Sequence, residues 1–203
     1  VSSVQFTHAT PAGAVVRNVK RSNYEQIGAA MILDSAADVI MGAGHPDFDH
    51  AGRRSDHPDY TYVGGREVWD AVAGGRAGAD ADGDDEPDPW TLVQTRADFQ
   101  ALADGETPPR VLGIPQIRTT LQQEREGDRQ AAPGVVPPIP TVPTLVEMTR
   151  GALNVLDDHP DGFFLLVEGG AIDWAGHDNQ IGRMIEEMTD FNRSVEAVIE
   201  WVA

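Results

Sequence analysis

Short apolar segments alternate with amphipathic ones along most of this chain, and that alternation strongly constrains its fold. Strand-like segments cover residues 37–42, 90–94, 110–114 and 162–167. Helix-like segments cover residues 23–33, 66–73, 96–102, 144–156 and 181–202. Strands that alternate with helices are typical of an α/β fold, in which a largely parallel sheet is flanked by helices. In such sheets, ligand-binding groups gather where strands end and loops begin.

The last helical segment has the clearest pattern. Its apolar residues recur at helical spacing and predict a single apolar face. These residues are Ile181, Met184, Ile185, Met188, Phe191, Val195, Val198 and Val202. We expect Met184 and Met188 to be core residues.

Two stretches interrupt the alternation. Residues 74–89 are glycine-rich and then acidic, which predicts a solvated loop. Residues 122–143 are polar and then proline-rich, which predicts an irregular excursion across the surface and not a domain boundary. We therefore expect residues 1–203 to form a single segment of one domain.

Charge and composition exclude several classes of function. The formal net charge is −18, and Lys20 is the only lysine. Nucleic-acid binding is disfavoured, because such a chain cannot replace phosphate counterions. A dense carboxylate surface with arginine in place of lysine is typical of proteins from salt-loving organisms, although it is also compatible with an ordinary acidic protein.

Two further absences limit the possibilities. The chain has no cysteine, so any metal must be held by His, Asp, Glu or hydroxyl ligands. No apolar run approaches the roughly 18 residues of a membrane span. The first residues lack the features of a signal peptide and an initiator Met, so we expect the chain to begin in mid-sequence or after processing.

Residues 163–177 carry the most informative chemistry. An apolar strand leads directly to Glu168, and two glycines then allow a tight turn. Asp173 and His177 follow four residues apart, which puts them on one face of a helix. A carboxylate and an imidazole there suit Zn²⁺, and Glu168 suits a harder ion. Such a pair is also common on solvated helices that bind nothing.

Several motifs together resemble the alkaline phosphatase family. The likeness includes the run from Val167 to His177 and the sequence from Thr7 to Pro11, and it continues at residues 37–44, 142–149 and 186–192 in the family's order. It covers nearly the whole chain and is weakest at residues 74–89. The resemblance implies a phosphomonoester hydrolase that uses two Zn²⁺ and one Mg²⁺ and acts through a phosphoserine intermediate in the full-length enzyme.

The resemblance also implies roles for particular residues. Glu168 and the hydroxyl of Thr10 would bind Mg²⁺, and Asp173 and His177 would bind one Zn²⁺. His8 matches a position near the Mg²⁺ that is aspartate or histidine in the family, so the identity of the third metal stays open. Trp174 matches a position that lines the phosphate pocket.

The resemblance places the nucleophilic serine and the remaining zinc ligands outside these residues, as if this were the middle of such an enzyme. Ser35 lies in a sequence like the family's nucleophile motif, but it follows Thr10, so we expect a connector between helix and strand. The resemblance further implies export to the periplasm or the extracellular space, and a homodimer is possible. Two alternatives stay open: a phosphodiesterase or sulfatase, which the glycine pair and Thr10-Pro11 argue against, and a non-catalytic metal-binding fragment or interaction module.

Two other acidic or histidine-rich stretches are weaker candidates for binding. Residues 45–59 combine three histidines with several aspartates, but their prolines and glycine predict a solvated surface loop. Asp80, Asp82 and Asp84 alternate as in a calcium loop, but the glutamate expected at its end is absent. Acidic surface residues are the better interpretation there.

Overall fold

The computed structural model describes all 203 residues and contains seven α-helices and three short strands. The strands are β1 (Val39–Met41), β2 (Thr91–Val93) and β3 (Val111–Gly113). The helices are α1 (Ala9–Val15), α2 (Tyr24–Leu33), α3 (Arg66–Ala73), α4 (Arg96–Ala101), α5 (Leu145–Leu156), α6 (Gly170–His177) and α7 (Ile181–Val202). The predicted α/β class is confirmed, and the predicted helices and the first three predicted strands are present with the same or slightly shorter bounds.

Local sequence explains where several helices begin. Thr95 and Thr144 each accept a hydrogen bond from the backbone three residues later, and Asp98 and Glu147 bond back to the cap residues. These two capping boxes satisfy amide groups that a helix start leaves unpaired. Helix α3 ends at Ala73 because Gly74 and Gly75 follow.

The three strands form a parallel sheet in the order β1-β3-β2. Residues 1–5 extend this sheet beyond β1, where the Ser2 amide donates to the Met41 carbonyl at 2.9 Å. On their other side, Ser2 pairs in parallel with Glu168. The carboxyl end of the 162–168 segment therefore lies at the same edge of the sheet as the ends of the other strands.

The prediction of a strand at residues 162–167 is wrong as stated, because only Glu168 forms a bridge. The Val1 amino group donates to the Leu166 carbonyl at 2.9 Å, and the Glu168 amide donates to the Val1 carbonyl at 3.0 Å. These bonds lie on one edge of the segment, and no strand pairs with its other edge. The Phe164 side chain on this segment is 84% exposed.

Two apolar clusters cover the two faces of the sheet. One contains Met41, Val111, Phe99 and Met148, and so joins the sheet to α4 and α5. The other contains Ile40, Leu112, Met31 and Trp69, and so joins it to α2 and α3. Neighbouring residues of β1 and β3 thus face opposite clusters, as expected of a strand with both faces covered.

The two irregular stretches, residues 74–89 and 122–143, contain no helix or strand. The proline-rich excursion is ordered by Arg125, whose guanidinium donates to the carbonyls of Gln122, Val136 and Pro137 and to the carboxylate of Glu186. None of the helices is long and apolar enough to cross a bilayer.

Helix α7 is only partly in the orientation that its apolar pattern predicts. Phe191 packs against the apolar cluster that contains Met148, and Met184 is half-buried. The buried residues of the helix are Gly182, Arg183, Glu187, Ser194 and Ala197, whereas much of the apolar face is exposed. The prediction that Met188 is a core residue is wrong, since it is 43% exposed. The orientation is fixed by polar contacts, because Glu186 accepts hydrogen bonds from Arg125 and from the Gly134 amide.

Glu187 is the most unusual group on this buried face. It is 6% exposed, and its Oε1 has no hydrogen-bond partner. Burial, together with nearby Asp190, raises the pKa of Glu187 to about 8. The folded protein therefore keeps this carboxyl protonated at neutral pH, where the unfolded chain ionises it.

We predict that Glu187→Gln removes a pH dependence of stability. Between about pH 4.5 and pH 8 the folded state holds a proton that the unfolded chain has lost, so the free energy of unfolding of the wild type falls as pH rises. At pH 9 the variant should be more stable than the wild type by about 5 kcal/mol, and near pH 4 by much less. Urea unfolding across this range measures the difference, with exposed Glu196→Gln as the control. A difference that is constant with pH would contradict the assignment.

Candidate metal centre

The candidate site is built at the turn between the 162–168 segment and α6. The helix starts at Gly170, and the Ala171 amide donates to the hydroxyl of Ser3 at 3.1 Å. A Cβ on Gly170 would lie 2.9 Å from Val4 Cγ2 and 3.1 Å from the Glu168 carboxylate. Glycine is therefore needed at this position for the helix to start so close to Glu168.

Glu168 is half-buried, and its Oε2 accepts a hydrogen bond from the Ser2 hydroxyl at 2.5 Å. The Ser3 amide also donates to the Glu168 carbonyl, at 3.1 Å. Residues at the start of the chain thus fix both the backbone and the side chain of Glu168. The second carboxylate oxygen has no protein donor and is free to bind a cation.

Asp173 and His177 lie one turn apart on α6, as the sequence predicts. Asp173 Oδ1 is 3.4 Å from His177 Nε2, and the two side chains are 74% and 78% exposed. Neither residue has another side-chain hydrogen bond. Because the pair contributes little to packing, its two ligand atoms are available to a metal ion.

His8 and Trp174 form a wall beside these acidic groups. Their rings meet edge to face with 5.1 Å between centroids, and the Tyr24 ring stacks on His8 at 6.2 Å. Arg21 Nη2 lies 3.4 Å from His8 Nε2. Burial is the main cause that lowers the pKa of His8, and Arg21 acts in the same direction, while Glu168 and Asp173 oppose it. His8 therefore lies within electrostatic reach of both carboxylates.

The predicted ligands do not form a closed cluster. Thr10 is exposed on the second residue of α1 and makes no hydrogen bond to Glu168. The only three His or acidic side chains whose ligand atoms lie within 4.8 Å of one another are Asp80, Asp82 and Asp88, on the acidic loop. The structure thus brings Asp173 together with His177, and Glu168 together with Ser2, as two separate pairs.

The weaker candidates have structural roles. Ser35 is buried, and its hydroxyl donates to the Met31 carbonyl at 2.6 Å, as expected of a connector after α2. His45 corrects the prediction of a wholly solvated loop, because it is 1% exposed. Its Nε2 lies 2.7 Å from Gln94 Oε1, and the Asp47 amide donates to its Nδ1, so the ring is a neutral core group.

Three residues of the site were missed in the sequence: Ser2, Ser3 and Arg21. Ser2 and Ser3 lie more than 160 positions from the groups that they bind. No motif or periodicity marks them, because their role arises only when residues 1–5 pair with the 162–168 segment.

The donor set fits the metals that the sequence predicts. One imidazole nitrogen and one carboxylate from a single helical face are ligands that Zn²⁺ accepts. A carboxylate that is held by a hydroxyl and keeps one free oxygen suits Mg²⁺. Two or more ligand positions of a zinc ion would have to come from elsewhere, since Asp173 and His177 provide only two.

Comparisons with known proteins agree on one class. A sequence model of the family "Alkaline phosphatase" matches residues 1–203. Alkaline phosphatase 3 of Bacillus subtilis (strain 168) is 29% identical over 213 residues, which cover 99% of this chain and 36% of the relative. The crystal structure of a cold-active alkaline phosphatase from a psychrophilic Shewanella species has a TM-score of 0.67 and 27% identity, and the match covers 99% of this chain and 39% of that one.

A third comparison concerns a metal. A variant of the alkaline phosphatase from the Antarctic bacterium TAB5, in which a histidine is replaced by glutamate, is described with Mg bound in the M3 site. It has a TM-score of 0.61 and 20% identity, and covers 98% of this chain and 46% of its own. At that identity the likeness concerns the fold alone.

The parallel sheet flanked by helices has the fold of the alkaline phosphatase structure that matches it. The chain belongs to the alkaline phosphatase family, because the family match spans all 203 residues. It spans about a third of the length of the curated relatives that it matches (36% for the Bacillus subtilis relative).

We predict that Gly170→Ala destabilises the protein and displaces Glu168. The added methyl would overlap Val4 and press on the Glu168 carboxylate, and overpacking of this kind costs about 1–3 kcal/mol. Gly176→Ala on the same helix is the matched control, since the nearest atom to its Cβ is Met184 Sδ at 3.8 Å. Replacing that helical glycine should stabilise by up to about 1 kcal/mol. Urea unfolding of both variants checks the prediction, and equal effects at the two positions would refute it.

Proposed function

We propose that this polypeptide is the metal-binding part of an alkaline-phosphatase-type phosphomonoester hydrolase. The observation that carries the proposal is the exposed Asp173–His177 pair on α6, directly after the turn that holds Glu168. Membership of the family over the full 203 residues gives this pair its interpretation. The substrate would be a phosphomonoester.

Each part of the site has a role in this proposal. Asp173 and His177 would bind one of two Zn²⁺ ions. Glu168 and the Thr10 hydroxyl would bind Mg²⁺ as the third metal. Because position 8 is a histidine, the identity of this third metal stays open. Bound divalent metals would supply Lewis-acid stabilisation of the charge on phosphate oxygens. Ser2 orients the Glu168 carboxylate through its 2.5 Å hydrogen bond, so that one oxygen stays directed away from the protein donor.

The aromatic wall would define one side of the phosphate pocket. Trp174 and His8 pack against each other, and Tyr24 supports His8 from behind. Arg21 brings a positive charge to this wall, next to His8. A guanidinium at this position would attract a phosphate dianion in a chain whose net charge is otherwise strongly negative.

Catalysis by these 203 residues alone is not part of the proposal. The family resemblance implies that the nucleophilic serine, which would form the phosphoserine intermediate, and the other zinc ligands lie outside them. Ser35 cannot replace that serine here, because its hydroxyl is buried and donates to a backbone carbonyl. The competing function is a non-catalytic metal-binding fragment or interaction module, and the high exposure of Asp173 and His177 is compatible with it.

We predict that Zn²⁺ binding by the polypeptide depends on α6. Asp173→Ala and His177→Ala should each weaken Zn²⁺ binding by at least about tenfold, since each removes one ligand atom. Calorimetric titration with Zn²⁺ measures the change. His50→Ala is the control, because it removes an exposed histidine from another loop. Unchanged affinity in both α6 variants would make the site assignment wrong.

An activity assay separates the catalytic and non-catalytic proposals. The polypeptide, with Zn²⁺ and Mg²⁺ at alkaline pH, should not hydrolyse p-nitrophenyl phosphate. In an enzyme that includes the flanking regions, Asp173→Ala should abolish nearly all turnover. Hydrolysis by these 203 residues alone would contradict the inference that essential groups lie outside them, and full activity of the longer variant would exclude Asp173 from the mechanism.

We also infer an exported protein adapted to salt. Export rests on the family resemblance alone. The adaptation to salt rests on composition: 33 acidic residues stand against 15 basic ones, of which only Lys20 is a lysine. Dense carboxylates keep a surface hydrated, and salt screens their mutual repulsion. The negative charge likewise supports a partner that is neither nucleic acid nor an anionic membrane surface.

A further inference from the structure

The hydroxyl of Ser2 has its hydrogen-bonding capacity committed inside the protein. Ser2 is fully buried, with 0% of its surface exposed. Its Oγ accepts a hydrogen bond from the Val4 amide at 3.3 Å and donates to Glu168 Oε2 at 2.5 Å. A serine hydroxyl carries a single proton, so this proton goes to the carboxylate and to no other group. Glu168 Oε2 is therefore an acceptor that is already in use.

The surrounding backbone keeps Glu168 from turning to release this oxygen. The Glu168 amide donates to the Val1 carbonyl at 3.0 Å, and the Ser3 amide donates to the Glu168 carbonyl at 3.1 Å. Oε2 also lies 3.1 Å from the place that a Cβ on Gly170 would take, so the start of α6 closes the space on that side. One carboxylate oxygen is thus held inside the fold, and the backbone of the same residue is fixed.

The other carboxylate oxygen, Glu168 Oε1, has a different environment. It has no hydrogen-bond donor within the chain, and it is not among the buried side-chain atoms that lack a partner. The two oxygens are therefore not equivalent, and a cation reaches Glu168 through Oε1. Binding through both oxygens would require the cation to displace the buried Ser2 hydroxyl.

Binding through one oxygen affects divalent ions unequally. Mg²⁺ demands near-octahedral geometry, keeps several of its waters and needs only one oxygen from a carboxylate. Ca²⁺ is larger, takes about six to eight oxygen ligands and can use both oxygens of one carboxylate. A carboxylate that is restricted to one oxygen therefore removes a ligand from Ca²⁺ and leaves Mg²⁺ unaffected.

We propose that Ser2 is a positioning residue that selects Mg²⁺ over Ca²⁺ by limiting Glu168 to one coordinating oxygen. The inference rests on the proposed function, which makes Glu168 a metal ligand, and it goes further by naming the residue that sets the preference between ions. Ser3 provides a contrast. Its hydroxyl belongs to an equally buried residue, but it accepts a hydrogen bond from the Ala171 amide at 3.1 Å and makes no bond to a carboxylate.

Competition for Mn²⁺ tests the selectivity. Mn²⁺ suits carboxylate and water ligands, and its electron paramagnetic resonance signal distinguishes free from bound ion. The part of the Mn²⁺ binding that Glu168→Gln removes belongs to this site, and Mg²⁺ and Ca²⁺ are titrated against it. Ser2→Ala should lower the preference for Mg²⁺ over Ca²⁺ by about tenfold, as expected when a residue that holds a metal ligand is lost. Ser3→Ala is the matched control and should leave the preference unchanged.

The outcomes separate this inference from the proposed function. Mn²⁺ binding that Glu168→Gln leaves unchanged would overturn the proposed site, and this inference with it. If Glu168 does contribute to binding, the same ion preference in Ser2→Ala and in the wild type would overturn the role of Ser2 alone. An equal change of preference in Ser3→Ala would do the same, because it would reduce both hydroxyls to a purely structural role.

Infrared difference spectra give a second measurement that needs no Ser2 variant. Subtracting the spectrum of Glu168→Gln from that of the wild type isolates the stretches of the Glu168 carboxylate. A carboxylate bound through one oxygen has widely separated antisymmetric and symmetric stretches, whereas one bound through both oxygens has closely spaced stretches. The wild type should show the wide separation with Mg²⁺ and with Ca²⁺. Closely spaced bands with Ca²⁺ would contradict the restriction to one oxygen.

Discussion

Backbone pairing between residues 1–5 and the segment that ends at Glu168 is the interaction on which the rest of the site depends. Residues 1–5 pair with β1 on one side and with the segment that ends at Glu168 on the other. They therefore join two parts of the chain that are far apart in sequence. This pairing brings the Ser2 hydroxyl to Glu168 and the Ser3 hydroxyl to the first turn of α6. Since α1 follows directly, the same pairing carries His8 to Trp174. One short piece of parallel sheet thus fixes the position of every group at the candidate centre.

A second constraint is the polar inner face of α7. Buried Arg183 and Glu187 are costly unless they are paired, and Glu187 lowers its cost by keeping a proton. Arg125 offsets part of this cost through its hydrogen bond to Glu186. Its guanidinium also donates to three backbone carbonyls, and these bonds order the proline-rich excursion. Asp190 adds a further polar contact, because its carboxylate accepts a hydrogen bond from the Leu145 amide at the start of α5. The consequence is that the apolar side of a long helix is turned toward solvent.

The sequence predicted elements well where the decisive interactions are local. Helices α3 and α5 were placed almost exactly because glycine stops and capping boxes act within a few residues. The strand at 162–167 and the core position of Met188 were wrong for a common reason. An apolar pattern records which face of an element would gain from burial, but not whether a neighbour is there to bury it. Phe164 and Met188 both have the pattern of buried residues and lack the neighbour.

The sequence by itself determined the family, the α/β class and the spacing that puts Asp173 and His177 on one helical face, because these depend on motifs and on the geometry of a single helix. Only the tertiary structure decided that Ser2 holds Glu168, that Arg21 and Tyr24 flank His8, and that His45 is buried against Gln94. It also decided which side of α7 faces inward. Contacts between residues far apart in the chain depend on how strands align in the sheet, and one-dimensional spacing carries no record of that alignment.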